Sequence, residues 1–253
     1  MKVFIHAGSH KTGTTSIQVF IRENEDALKT AGIFIPQSGT LNKKSGHHNI
    51  GWEMRNDPRF KPERGTISDL VEELAQRSES TAVLSSEDFE YFVDRPDALT
   101  RFEDILVSNG HDLVYIYFFR RADIYAVSLY AELLKHGLDY SFRKFALEAL
   151  LKEKVVIKND WVFYFNCRAF IKKWRKHSRG TITTISYDHA VGGDGVLPSF
   201  FSFIEAPAEL IQLSKSAEVK NVRKPADVSR IERAIFGWLL RRRFSSTCRL
   251  PAD

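Results

Sequence analysis

The fold of this chain is decided near its start, by the stretch Val3-Phe4-Ile5-His6-Ala7-Gly8-Ser9-His10-Lys11-Thr12-Gly13-Thr14-Thr15-Ser16. A short apolar strand leads there into a loop in which four residues separate Gly8 from Gly13. A strand, a Gly-x-x-x-x-Gly loop and a helix let several backbone N–H groups converge at the helix N-terminus, where an anion is stabilised. The stretch therefore predicts a phosphate-binding loop at the end of the first strand.

The position of the loop lysine separates this loop from the one that binds nucleoside triphosphates. In that pattern, Gly-x-x-x-x-Gly-Lys-Ser/Thr, the lysine follows the second glycine. Here Thr14 holds that position and the lysine of the loop is Lys11. A lysine at the loop crown can approach a bridging oxygen, and it does not straddle β- and γ-phosphates beside a magnesium ion. The spacing therefore weighs against a magnesium-bound triphosphate.

Hydrophobic periodicity predicts alternating strands and helices along the rest of the chain. The expected strands cover 33–36, 81–84, 113–119 and 181–188, and the expected helices cover 15–31, 66–77, 96–108, 128–154, 159–177 and 228–244. The run 113–119 is apolar on both faces, which is typical of a central parallel strand. Residues 37–64 lack periodicity and are expected to form a long, partly irregular excursion. The sequence thus predicts a three-layer α/β/α fold with a mostly parallel sheet, like that of P-loop nucleotide hydrolases.

Length and composition fit one globular domain with an appendage. The chain has 253 residues, of which 43% are hydrophobic and 27% charged, so it can bury a sizeable core. We expect the domain to cover 1–228, and a basic amphipathic helix and tail, 229–253, to dock on it. Met1-Lys2 leads directly into the first strand and no apolar run reaches bilayer length, so a cytoplasmic protein is expected.

Positive charge is concentrated at the C-terminal end. The net charge is +5, and residues 215–253 carry ten Lys or Arg against four Asp or Glu. Such a segment could meet a polyanion, an anionic cofactor or an acidic membrane surface, so peripheral membrane contact through the tail stays open. In helix 228–244 the apolar side is expected to hold Ile231, Ile235, Trp238 and Leu239.

A second anion-binding pattern follows the central strand. Arg120 comes directly after the strand, and Ser128 lies eight residues later, about two turns into the next helix. A guanidinium fork and a hydroxyl so placed can converge on one phosphate. In an open parallel sheet, functional groups gather at the carboxyl ends of the strands, so this pair and the first loop are expected to share one site.

Both patterns resemble motifs of sulfotransferases that use 3′-phosphoadenosine 5′-phosphosulfate (PAPS). The segment from His10 to Ser16 resembles their 5′-phosphosulfate loop, and Arg120 with Ser128 resembles their 3′-phosphate motif. Many relatives have Asn-Pro after the arginine, whereas this chain has Arg121-Ala122. The resemblance spans roughly residues 2–190, with specific motifs at these two places.

The resemblance implies a PAPS-dependent sulfotransferase with PAPS as donor cosubstrate. No metal is expected, because one lysine, a helix N-terminus and Arg120 already supply positive potential. The residues that it implies for donor binding are His10, Lys11, Thr12, Gly13, Thr14, Thr15, Ser16, Arg120 and Ser128, with Arg223 and Lys224 as a late basic segment closing over the 3′-phosphate. Lys11 is also expected to be catalytic, because it can offset the charge that grows on the bridging oxygen as the leaving phosphate departs.

A general base is expected near the end of strand 81–84. Glu87 is the first candidate, because a carboxylate there can take the proton of an attacking acceptor hydroxyl. Asp88, His47 and His48 stay open as alternatives, the two histidines as residues that line an acceptor pocket. The alternative is a purely structural role, in which Glu87 caps the helical segment that follows it. The acceptor is expected to be a small molecule or glycan, and a carbohydrate or glycolipid is the first candidate.

Two other functions remain open at this stage. One is an ATP-dependent kinase for a nucleotide or small molecule on the same fold, which magnesium dependence would reveal. The other is a nucleic-acid- or membrane-binding module that uses Arg241, Arg242 and Arg243. The basic surplus is confined to the tail while both anion motifs lie elsewhere, so no nucleic-acid partner is expected.

Overall fold

The computed structural model describes residues 1–41, 46–157, 161–217 and 230–244. Its central sheet has five parallel strands in the order β2-β3-β1-β4-β7, and β5 pairs with β6 in a separate antiparallel ribbon. The strands are β1 Lys2–His6, β2 Ile33–Phe34, β3 Thr81–Ser85, β4 Asp112–Phe119, β5 Lys154–Ile157, β6 Trp161–Tyr164 and β7 Thr181–Ser186. The predicted α/β fold class with a parallel central sheet is confirmed.

Helices cover both faces of this sheet and give the fold its three layers. They are α1 Thr14–Glu23, α2 Glu25–Thr30, α3 His48–Arg55, α4 Ile67–Ala75, α5 Pro96–Ser108, α6 Ala122–Lys135, α7 Phe142–Lys152, α8 Cys167–Arg175, α9 Tyr187–Gly192, α10 Val196–Phe203, α11 Ala208–Ser216 and α12 Arg230–Phe244. Two segments are 3-10 helices, Pro62–Arg64 and Glu87–Asp94.

Alternate residues of the central strands point to opposite layers. Val3 and Ile5 of β1 pack in a core with α3, α4, α5 and α8, whereas Phe4 packs in a second core with α1, α2, α10 and α11. Both sides of β1 are thus buried, as its unbroken apolar pattern predicts. The sheet therefore holds the loop that follows β1 in a fixed place.

A third apolar cluster lies beside the sheet. It joins α6, α7 and the β5–β6 ribbon to α12, whose Phe236, Leu240 and Phe244 are buried there. Phe236 meets Phe142 of α7 edge to face, with ring centroids 6.3 Å apart. The buried side of α12 is not the one expected from the sequence, because Ile235 and Trp238 are 53% and 56% exposed.

Two long predicted helices are interrupted in the structure. The helix expected over 159–177 begins only at Cys167, because the alternating residues of β6 pair with β5 and place Val155 opposite Phe163. The helix expected over 128–154 is split into α6 and α7, and Gly137, with φ of 85°, follows the end of α6. The region 37–64, expected to be partly irregular, contains α3.

Candidate functional site

The predicted phosphate loop lies at the carboxyl edge of the sheet, between the ends of β3 and β4. The last residue of β1, His6, pairs with Ser85 on one side and Ile116 on the other. The hydroxyl of Ser9 then donates to the carbonyl of Phe118, 3.0 Å away. These bonds fix the path of the loop relative to the strand that carries Arg120.

Two glycines let the loop fold tightly. A Cβ on Gly8 would come within 2.5 Å of His6 Nε2 and 2.8 Å of Thr14 Oγ1. Gly13 precedes α1 with φ of 83°, in the left-handed region that glycine adopts readily, and no side chain caps the helix among the described residues. Uncapped N–H groups at a helix N-terminus favour an anionic ligand.

Two buried polar atoms beneath the loop lack a hydrogen-bond partner in the described part of the chain. They are Thr14 Oγ1 and His6 Nε2, and both face Gly8. Burial lowers the pKa of His6 to about 3, so its ring is neutral near pH 7. A buried hydroxyl without a partner costs free energy, so an oxyanion that accepts from Thr14 would be bound more tightly.

Lys11 connects the loop to α6. Its Nζ lies 3.1 Å from Glu132 Oε2, and its own φ of 67° turns the crown of the loop into the left-handed region. Its carbonyl oxygen accepts a hydrogen bond from Arg120 Nη1 at 3.3 Å. His10 beside it pairs its Nε2 with the hydroxyl of Tyr91 at 2.8 Å.

Arg120 extends from the end of β4 toward the same loop. Its side chain is 8% exposed, its Nε is 3.8 Å from Asp188 Oδ1, and its guanidinium lies over the ring of Tyr187 at 5.0 Å. Ser128, on α6, faces the same cleft as Arg120. The structure thus brings both sequence motifs to one place, as their positions after β1 and β4 predict.

A cleft of about 1180 Å³ runs from the loop along α6 to α12. Its lining includes His10, Gly13, Thr14, Thr15 and, at the loop end, Glu87. A volume of this size exceeds the range that drug-sized ligands usually occupy. The cleft therefore has room for a nucleotide together with part of a second substrate.

The sequence analysis did not predict that α12 forms one wall of this cleft. The wall consists of Arg233, Ala234, Gly237, Trp238 and Arg241. Arg241 donates from Nε and Nη2 to Asp123 Oδ2, at 3.2 and 2.8 Å, and so attaches α12 to the first turn of α6. The available signal was the basic amphipathic pattern of the helix. The predicted basic contributors Arg223 and Lys224 lie outside the described residues.

Cations outnumber carboxylates around the cleft. The carboxylates are Glu87, Asp123 and Glu132, and the cations are Lys11, Arg120, Arg121, Lys135, Arg233 and Arg241. Such an excess of one sign inside a concave site attracts a ligand of the opposite sign. The cleft is therefore suited to a ligand with several negative charges.

Glu87 faces the cleft at the first residue of its 3-10 helix. Its Oε2 accepts a hydrogen bond from Gln18 Nε2 at 3.1 Å and lies 3.9 Å from His48 Nε2. Its side chain is 16% exposed, so a substrate can reach the carboxylate. The predicted base candidate and the phosphate loop therefore line one cleft.

Asp88 is turned away into an ion-pair network. One oxygen lies 2.8 Å from His48 Nδ1 and the other 3.0 Å from Arg55 Nη2. Although burial raises the pKa of Asp88, its hydrogen bond with His48 and the nearby cations outweigh that effect and lower it. For His48, burial lowers the pKa, but the bond to Asp88 and the charges of Asp88 and Glu87 together raise it.

His47 and His48 have different surroundings although they are adjacent. The Nδ1 of His47 accepts from the Ser85 N–H at 3.1 Å, and its Nε2 lies 3.0 Å from the carbonyl of Pro36. Burial lowers the pKa of His47 to about 3. Both ring nitrogens are thus bonded to the backbone, and neither can reach a substrate.

The described ranges contain neither a cluster of metal-ligating side chains nor a helix that could span a membrane. In the part of the chain that the structure describes, no three His, Cys, Asp or Glu side chains are grouped as a metal ion would require. Within the same ranges, no helix has both the length and the apolar character needed to cross a bilayer.

No family model matches the chain, and no curated protein does. A crystal structure of a sulfotransferase from Alicyclobacillus acidocaldarius aligns with 96% of this chain and 94% of its own, at 16% sequence identity and a TM-score of 0.49.

Proposed function

We propose that this protein is a PAPS-dependent sulfotransferase that transfers a sulfuryl group to a hydroxyl or amine of an acceptor. The acceptor we favour is a carbohydrate or glycolipid. The observation that carries the proposal is that the loop with Lys11 and the pair Arg120 and Ser128 line one cleft. PAPS is anionic at both ends of its ribose, so it needs two anion sites at a short separation. The hydrogen bond from Arg120 to the carbonyl of Lys11 keeps these two sites adjacent.

Three sections of the cleft are assigned to three parts of the donor. The N-terminus of α1, with Thr14 and Thr15, offers N–H and hydroxyl donors to the 5′-phosphosulfate. Arg120 and Ser128 offer a charged fork and a hydroxyl to the 3′-phosphate. The nucleobase is assigned to the apolar section between α6 and α12, where Val127 and Trp238 line the cleft.

The transfer itself is an in-line displacement at sulfur. A bond forms between the acceptor oxygen or nitrogen and sulfur, while the bond from sulfur to the bridging oxygen breaks and its electron pair stays with 3′-phosphoadenosine 5′-phosphate. Lys11 stabilises the negative charge that grows on this bridging oxygen. The acceptor proton passes to a general base, for which Glu87 is assigned.

The neighbours of Glu87 favour it over the other base candidates. Asp88 is bonded to Arg55 and His48, and a carboxylate neutralised in this way is a weak base. His48 is held by Asp88 through Nδ1 at 2.8 Å, and its Nε2 lies 3.9 Å from Glu87 Oε2, where the ring can orient that carboxylate. His47 is assigned no part in the chemistry, because both of its ring nitrogens are already bonded.

Calorimetric titration tests the donor assignment. We expect 3′-phosphoadenosine 5′-phosphate to bind without magnesium and Arg120→Ala to weaken this binding about 30-fold, because a charge-assisted pair is lost. The matched control is Arg179→Ala, since Arg179 is exposed, pairs with Asp104 and precedes β7 at the opposite edge of the sheet. If ATP bound with magnesium and the bisphosphate did not bind, the protein would be a kinase and this proposal would be wrong.

A further inference from the structure

The carboxylate of Glu132 forms an ion pair with the lysine of the loop. Glu132 lies four residues after Ser128 on α6, and its Oε2 is 3.1 Å from Lys11 Nζ. The two side chains are 30% and 29% exposed, so the pair is reachable from the cleft. We propose that Glu132 is a positioning residue that holds Lys11 as an internal counterion, and that an oxyanion at the loop must take Lys11 from it.

Glu132 can release Lys11 without being left unpaired. The same Oε2 lies 2.8 Å from Lys135 Nζ, and Oε1 lies 3.7 Å from His136 Nε2. The hydrogen bond from Lys135, with a further contribution from Lys11, lowers the pKa of Glu132 to about 2 even though burial opposes it. Glu132 therefore stays charged at neutral pH and keeps a cation after Lys11 has moved.

This exchange, in which the Lys11 ammonium leaves Glu132 for the ligand oxyanion, requires only a rotation of the Lys11 side chain. The backbone of Lys11 is held through its carbonyl by Arg120, at 3.3 Å. Its ammonium is held separately by Glu132. The loop can therefore keep its shape while the ammonium turns from one oxyanion to another, which avoids the entropic cost of reordering a loop.

The inference rests on the proposed function for the identity of the oxyanion, but not for the exchange itself. Charge on the bridging oxygen grows during the transfer, so Lys11 interacts more strongly with the reacting group than with the bound donor. Glu132 then offsets what Lys11 contributes to donor affinity, while the larger charge of the transition state still draws Lys11 away from it. Lys11→Ala should accordingly change ligand affinity little while Glu132 is present.

A double-mutant cycle tests whether Glu132 acts through Lys11. The four proteins are wild type, Glu132→Gln, Lys11→Ala and the double variant, titrated with inorganic pyrophosphate and with 3′-phosphoadenosine 5′-phosphate, without magnesium. We expect Glu132→Gln to tighten binding about fivefold, the upper range for a partly exposed ion pair. In the Lys11→Ala background we expect the same change to alter binding less than about twofold.

Glu148→Gln is the matched control for the lost carboxylate. Glu148 pairs with Lys152 at 3.1 Å on α7 and does not line the cleft. It should leave the binding of both ligands unchanged. If Glu132→Gln tightened binding equally with and without Lys11, its charge would act through space on the ligand, and the inference would fall.

A ligand-free measurement separates this inference from the proposed function. An ammonium held by a carboxylate reacts slowly with an acylating reagent, so succinimidyl acetate should label Lys11 several-fold faster in Glu132→Gln, with Lys29 as internal reference. If labelling were faster and pyrophosphate bound, but the bisphosphate nucleotide did not, PAPS would be rejected as the donor. The transfer of Lys11 from Glu132 to an oxyanion would still stand. Unchanged labelling would overturn the exchange, even if the nucleotide bound.

Discussion

Arg120 Nη1 donates a hydrogen bond to the carbonyl oxygen of Lys11 over 3.3 Å, which joins the end of β4 to the crown of the loop after β1. The two residues are 109 positions apart, and each belongs to a different one of the two predicted anion motifs. A ligand that draws Arg120 toward a phosphate therefore acts on the loop directly. This contact joins the two predicted anion sites.

Lys11→Ala should reduce turnover far more than donor affinity. The lysine is assigned to the charge that develops on the leaving oxygen, and removal of one such group costs about 100-fold in rate. The release of sulfate from PAPS with water as acceptor gives the rate, and titration with 3′-phosphoadenosine 5′-phosphate gives the affinity. A loss of affinity as large as the loss of rate would instead make Lys11 an ordinary binding residue.

Glu87→Gln should slow transfer in a way that depends on the acidity of the acceptor. A general base contributes about 100-fold or more when the acceptor must lose its proton during attack. With phenol as the acceptor, we expect a loss of that size. With 4-nitrophenol at mildly alkaline pH the acceptor is already ionised, so the variant and the wild type should differ little.

Equal losses with both phenols would contradict the assignment of Glu87 as base. The substitution also replaces the acceptor of the Gln18 hydrogen bond by an amide of the same shape, so the fold should be kept. A melting temperature close to that of the wild type would verify this before the rates are compared.

Trp238→Ala should weaken binding of the bisphosphate nucleotide about tenfold, because base stacking on an aromatic ring contributes roughly 1–3 kcal/mol. Binding of inorganic pyrophosphate, which has no base, should not change. Ile235→Ala is the matched control, since Ile235 is similarly exposed on α12 and does not line the cleft. If both ligands bound equally weakly to Trp238→Ala, the nucleobase would lie elsewhere.

Stability should fall as the pH is lowered below about 6.5, in part through His6. Burial lowers the folded-state pKa of His6 to about 3, whereas an unfolded histidine titrates near 6.5. Between these values the unfolded chain binds a proton that the folded chain does not, so the free energy of unfolding decreases with falling pH. Denaturant unfolding from pH 7 to pH 5 should therefore show a shallower slope in His6→Asn, and an identical slope would contradict this cause.

Local sequence patterns were sufficient for the central sheet and for the strand, loop and helix at the start of the chain. The predicted helix over 96–108 has the bounds of α5, and the apolar run of β4 was predicted to within one residue. Both patterns depend on neighbours in the sequence. The β5–β6 ribbon was missed because its stability comes from pairing between Val155 and Phe163, and the aromatic residues of β6 also fit a helical period.

The roles of the two adjacent histidines could not be separated from sequence. His47 is fixed by backbone groups of Pro36 and Ser85, and His48 by the carboxylate of Asp88. These partners are between 11 and 40 residues away, so the distinction arises only in the folded chain. The same reason applies to α12, whose buried side depends on which face meets α6 and α7.

The attachment of α12 makes this helix one wall of the cleft instead of a removable extension. Truncation before Arg230 would leave Asp123 with one arginine fewer and uncover the ring of Phe142, besides removing Trp238. By thermodynamic linkage, a ligand held between α6 and α12 strengthens the attachment of the helix by as much as the attachment strengthens ligand binding. Loss of activity on truncation would thus be expected of an enzyme as well as of a module that binds through its tail.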